Sequence, residues 1–142
     1  MLLGIPEILS PDLLKTLMEM GHGDELVLGD GNFPAESMGR RVIRCDGHSV
    51  LPLLNAILKF FPLDDFAQKR ALCMAVVAGD STTPSIWAEF SKALAQATPK
   101  TEIAFLERFE FYERAKQAYA VVATGERALY ANIILKKGVV RS

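Results

Sequence analysis

Apolar and polar positions along the chain switch repeatedly between the three-to-four spacing of helices and short unbroken apolar runs. Ser10-Pro11 precedes Leu13, Leu14, Leu17 and Met18, which recur at helical spacing. Serine can accept an orphan amide at a helix start and proline fits the first turn, so a helix begins here and stops at Gly21 or Gly23. Residues 25–29 (ELVLG) read as a short buried strand, and Gly31-Asn32-Phe33-Pro34 begins a loop. Residues 42–45 read as a second strand, closed by Asp46-Gly47. Ser49 then caps a helix whose apolar face carries Leu51, Leu54, Ile57, Leu58 and Phe61. Residues 71–78 (ALCMAVVA) have the near-continuous apolar pattern of a strand covered on both faces. Thr83-Pro84 repeats the cap-plus-proline signal and predicts a third helix ending at Ala97. A strand over 101–106, a helix over 109–117, a strand over 119–123 and a last strand over 131–135 complete the pattern.

Strands alternating with helices predict an α/β layered domain over residues 1–142, with a mostly parallel central sheet flanked by helices. No Gly/Ser-rich linker, internal repeat or low-complexity segment divides the chain. Half of the 142 residues are apolar, which suggests that other subunits cover part of the surface. The net charge of −1, with both signs interspersed, leaves no electrostatic footprint for nucleic acid or an anionic membrane. No apolar run approaches the ~20 residues of a spanning helix, and the N-terminus lacks the features of a signal peptide. The two cysteines, Cys45 and Cys73, sit in apolar runs, which points to a reducing, cytoplasmic setting without a disulfide.

Three clusters could carry chemistry. The first is His22, Asp24 and Asp30 in "MGHGDELVLGDGNFP". Flanking glycines leave His22 exposed, and Asp30 stands at a strand end, where open α/β sheets bind ligands. An acid–base histidine and a surface histidine stabilised by a helix dipole both fit this pattern. Asp24, a polar residue starting a strand, reads as solvated. A zinc site usually needs more nitrogen or sulfur ligands, and His48 is the only other histidine, so no metal is expected. The second cluster is "ERFEFYERA", where Arg108 and Tyr112 lie one helical turn apart among aromatics. That mixture suits a sugar, but an ordinary amphipathic helix explains it too. The third is Tyr130 and Asn132, two apart and so on one face of a strand, a spacing that plain strand-edge polarity also gives. No P-loop, GxGxxG, GxSxG or HExxH motif is present.

Five blocks in order, "MGHGDELVLGDGNFPA", "IRCDG", "RFEFYERA", "AYAVVATGE" and "YANIILKKGV", resemble the family of sugar mutarotases that includes the L-fucose mutarotases and the D-ribose pyranases. "RFEFYERA" is similar to the fucose branch. The resemblance implies an isomerase that opens and recloses L-fucose, with His22 as the proton-transfer residue and Tyr112 as its complementary acid–base group. It assigns Asp30, Asp64, Arg108, Tyr130 and Asn132 to sugar binding; Asp64 enters by resemblance alone. It also implies a homo-oligomer, commonly a decamer of stacked pentamers, with the cleft near subunit contacts. Histidine titrates near pH ~6.5, so neither a metal nor an organic cofactor is required. The alternatives are a D-ribose pyranase, a non-catalytic sugar-binding subunit of the same fold, and a purely structural ring protein. Ala131 stands where fucose-type members often carry glycine, and a positive φ there would strain alanine.

Overall fold

The computed structural model, which describes residues 1–142, has six strands and five helices; the short helix over Ala35–Met38 falls in the stretch read as a loop. In chain order these are α1 (Pro11–Glu19), β1 (Glu25–Gly29), α2 (Ala35–Met38), β2 (Val42–Cys45), α3 (Val50–Leu58), β3 (Ala71–Met74), α4 (Ile86–Ala97), β4 (Ala104–Leu106), α5 (Arg108–Gln117), β5 (Ala120–Thr124) and β6 (Ile133–Lys136). Ser10 caps α1 as expected, its hydroxyl accepting from the Leu13 amide at 3.1 Å. The apolar face of that helix is narrower than its spacing predicts, because Met18 points to solvent.

One sheet, ordered β2-β5-β1-β6-β3-β4, holds all six strands. Five run parallel, and β6 alone is antiparallel to both its neighbours, β1 and β3. Only residues 125–132 join β5 to β6. A parallel return needs a crossover of a dozen or more residues, so this short segment can only step over the end of β1 and descend the other way.

Strand residues alternate between two apolar layers. Leu26 and Leu28 of β1, with Ile133 and Leu135 of β6, pack against α1, α3 and α4. Val27 and Ile134 face the other side, where Phe111 and Ala115 of α5 and Ala35 of α2 cover them. The result is helix, sheet and helix in three layers, the architecture expected from the sequence. None of the helices is long and apolar enough to cross a membrane.

Four boundaries differ from the sequence reading: β4 begins at Ala104 and not at Thr101, and the other three have a local reason. The apolar run 71–78 stays in the sheet only to Met74. Its neighbour β4 ends at Leu106, whose carbonyl takes the Ala75 amide, and the ladder then has no further partner. The third helix begins at Ile86 instead of at Thr83-Pro84. Thr82 gives its amide and hydroxyl to Asp80, and this local turn competes with an earlier helix start. Tyr130 and Asn132 precede β6 and do not share a strand face. The positive φ in that segment (58°) falls on Tyr130 and not on Ala131, so alanine at 131 meets no such strain.

Leu28 is fully buried at the centre of the sheet, opposite Val122 and Ile133. Leu28→Ala should lower unfolding free energy by about 2–5 kcal/mol in urea denaturation, with little change in far-UV circular dichroism.

Candidate functional site

The strand directions decide which residues can meet. β1, β3, β4 and β5 all end at one edge of the sheet, and antiparallel β6 begins there. That edge gathers Asp30 after β1, Asn132 before β6 and the first turn of α5 after β4. Asp30 and Asn132 are both buried, and the Asp30 amide donates to Asn132 Oδ1 at 2.7 Å. Burial pushes the Asp30 carboxyl above its ordinary range, partly offset by the backbone amides of Asn32, Ala131 and Phe33 and the Asn132 side chain.

Glu107 caps α5 through its carboxylate, which accepts from the amides of Phe109 and Glu110. The helix therefore starts at Arg108, and Arg108 and Tyr112 fall one turn apart on the same side. Both line a cavity of about 220 Å³ together with Asp30, Tyr130 and Asn132. Arg108 Nε is buried without a hydrogen-bond partner, a donor that a polar ligand would satisfy. Five of the seven sequence-derived residues thus share one cleft.

His22 and Asp64 lie elsewhere. His22 precedes β1 whereas Asp30 follows it, and five strand residues at about 3.3 Å each set the two on the order of 16 Å apart. At this opposite edge His22 Nε2 donates to Asp64 Oδ1 at 3.1 Å, with the imidazole 47% exposed and the carboxylate buried. Burial alone would raise the Asp64 carboxyl. The hydrogen bonds from His22 and from the Phe66 amide, with the charges of His22 and Lys136, outweigh that effect and hold it below its ordinary range. An ionised carboxylate only accepts, so it fixes the proton on Nε2 and leaves the lone pair on Nδ1.

The turn carrying His22 is tied on both sides. Gly23, at φ 86°, donates its amide to Lys137 O, and Asp24 Oδ2 accepts from the Gly21 amide at 2.7 Å. Asp24 therefore orders the histidine turn and is not merely solvated. Gly138 sits so close to the Asp64 loop that a Cβ there would lie 2.5 Å from Leu63 O.

Six cleft residues escaped the sequence reading: Asn32, Phe33, Met74, Val77, Asp80 and Leu129. Asp80 follows the apolar run 71–78 in "GDSTT", a strand-end aspartate with the same signal that marked Asp30. No three His, Cys, Asp or Glu side chains converge as a metal-binding group.

The model of the RbsD / FucU transport protein family matches residues 3–140. The fucose mutarotase of Streptococcus pneumoniae, solved in complex with L-fucose, is 52% identical. That match covers 99% of this chain and 100% of the other, with a TM-score of 0.93. FucU of Bifidobacterium longum is 51% identical over 97% of this chain and 99% of its own, with a TM-score of 0.94. RbsD of Bacillus subtilis, complexed with D-ribose, shares the fold at 24% identity and a TM-score of 0.70, covering 94% of this chain and 95% of the other.

The raised Asp30 carboxyl has a consequence for stability. Below about pH 4 the group is protonated in both folded and unfolded chains and burial costs nothing. As pH rises through the folded value, the buried charge becomes a growing penalty. Asp30→Asn should therefore melt roughly 2–5 °C higher than the parent at pH 7, with the difference closing toward pH 3.5 in scanning calorimetry.

Proposed function

This chain belongs to the RbsD / FucU family, and from that premise we propose that it is an L-fucose mutarotase acting by general acid–base ring opening and closure. The observation that carries the substrate is the end-to-end match, at 52% identity, to a fucose mutarotase holding L-fucose. The cleft chemistry agrees with it: a carboxyl, a guanidinium, a carboxamide and phenols can all engage sugar hydroxyls.

Ring opening requires a base to remove the O1 proton while C1–O5 breaks, C1=O forms and an acid protonates O5. After rotation about C1–C2, O5 adds to the other face of C1, returns its proton, and O1 is reprotonated. The exchange is proton-neutral and needs no cofactor. His22 Nδ1, with its lone pair fixed by Asp64, supplies the base, and Tyr112 is the complementary donor. Each positioned group gives roughly 10²–10⁴-fold, about 3–5 kcal/mol. Asp30, Asp64, Arg108, Tyr130 and Asn132 bind the sugar or hold the residues that do.

A pyranose cannot bridge the length of β1, so the active unit on this reading is an assembly in which the His22–Asp64 pair of one copy closes the cleft of another. Apolar side chains stand exposed beside both halves, with Phe66 against His22, Leu129 in the cleft lining and Phe109 against Tyr112. Two different patches meeting head to tail close into a ring when their rotation divides a full turn, which agrees with the decamer that the family resemblance implies. A cytoplasmic location fits the two buried, unpaired thiols, Cys45 and Cys73.

Saturation-transfer NMR of equilibrated L-fucose and D-ribose with catalytic protein tests the reading. Anomer exchange of L-fucose is expected; ribose pyranose–furanose exchange in its place, or binding without exchange, would overturn it. His22→Ala should lose at least 10²-fold in exchange rate while keeping its fold. Mixing it in equal amounts with Arg108→Ala and reassembling should restore about one quarter of the sites, since each needs an intact half from two copies. No recovery would sink the shared-site arrangement.

A further inference from the structure

Tyr130 is held from two sides by residues that the proposed reaction does not use. Its backbone is one of only two non-glycine positions with positive φ, the other being Lys100. Trp87 Nε1, from α4, donates to the Tyr130 carbonyl at 2.9 Å, which anchors this unusual turn. On the side-chain end, the Tyr130 hydroxyl donates to Asp80 Oδ2. The other oxygen of the same carboxylate, Oδ1, accepts from the Thr82 amide at 2.8 Å and from the Thr82 hydroxyl at 2.6 Å. Both oxygens of Asp80 are thus engaged, and Tyr130 and Asp80 both line the cleft.

A phenol has one proton to give. Once that proton is committed to a carboxylate, only the oxygen lone pairs remain for anything else. We propose that Asp80 is a positioning residue that fixes Tyr130 as a hydrogen-bond acceptor, so the cleft selects a sugar hydroxyl that donates at this point. Arg108, which lines the same cleft, can only donate. The bound sugar therefore meets an acceptor at one point of the cleft and a donor at another, a polarity that favours one orientation over its reverse. This inference rests on the sugar-binding reading of the cleft.

Asp80→Asn provides a chemical inversion and not merely a deletion. Thr82 keeps two donors aimed at the Oδ1 position, so the carboxamide oxygen stays there and its NH₂ turns toward Tyr130. The phenol oxygen must then accept, and its own proton is released toward the sugar. A fluorine in place of a hydroxyl can accept weakly but cannot donate, so it reads this polarity directly.

The test is calorimetric binding of L-fucose and its 2-, 3- and 4-deoxyfluoro analogues to the assembled protein. The parent should bind one analogue about tenfold more weakly than L-fucose. Asp80→Asn should reduce that discrimination to about threefold or less. Tyr130→Phe, which removes the phenol oxygen, should abolish it, and melting temperatures confirm that both variants are folded. Equal binding of all analogues by the parent, or discrimination unchanged in Asp80→Asn, would overturn the assignment of Asp80 while leaving the sugar reading intact. Failure of the parent to bind L-fucose at all would remove both.

Discussion

The antiparallel course of β6 is the constraint on which the rest of the molecule turns. Its first end delivers Asn132 to the Asp30 amide, and its far end ties down both parts of the His22–Asp64 pair. Lys136 O accepts from the Asp64 amide, Lys137 O from the Gly23 amide, and the Lys137 ammonium donates to Met20 O. Because β6 lies between β1 and β3 with hydrogen bonds on both sides, it behaves as a rigid strut. The spacing between cleft and histidine is thereby set by strand geometry and not by flexible loops.

Two buried aspartates on this frame show how environment assigns chemistry to one side-chain type. At Asp30 the loss of water outweighs the amides that bond its carboxylate, and desolvation dominates. Asp64 is as little exposed to solvent but receives donors from an imidazole and a backbone amide, which reverse the outcome. One carboxyl is held toward neutrality and the other toward charge. The first carries an internal energetic burden within a ligand cleft, a common sign that a position serves binding and not stability.

Much of this was legible from residue order. Alternating apolar runs and helical faces located β1, β2, α3 and α5 closely, since each is a short element with a strong cap or a clean apolar face. The direction of β6 was in principle readable too: residues 125–132 are too few for a parallel crossover. The site was less accessible because proximity here is not encoded in spacing. His22 and Asp30 sit eight positions apart and read as neighbours, but the strand between them holds them at opposite edges. Conversely, Asp30 and Asn132 are separated by 102 positions and touch. The Tyr130–Asn132 pair looked like strand alternation, whereas a left-handed residue produces the juxtaposition. Asp64 had no local signal at all, since its importance comes from a single hydrogen bond across 42 positions.

The separation of the two half-sites has a consequence for the life of the chain. On the shared-site reading, a newly made copy holds a proton-transfer pair with no sugar cleft beside it and a cleft with no proton-transfer pair. It is then silent until it meets its own kind, so the onset of activity reports assembly. Gene dosage enters as well: a copy defective only in its histidine would disable its neighbour's cleft and leave its own serviceable. The phenotype of a damaged allele would then depend on the company it keeps in the ring.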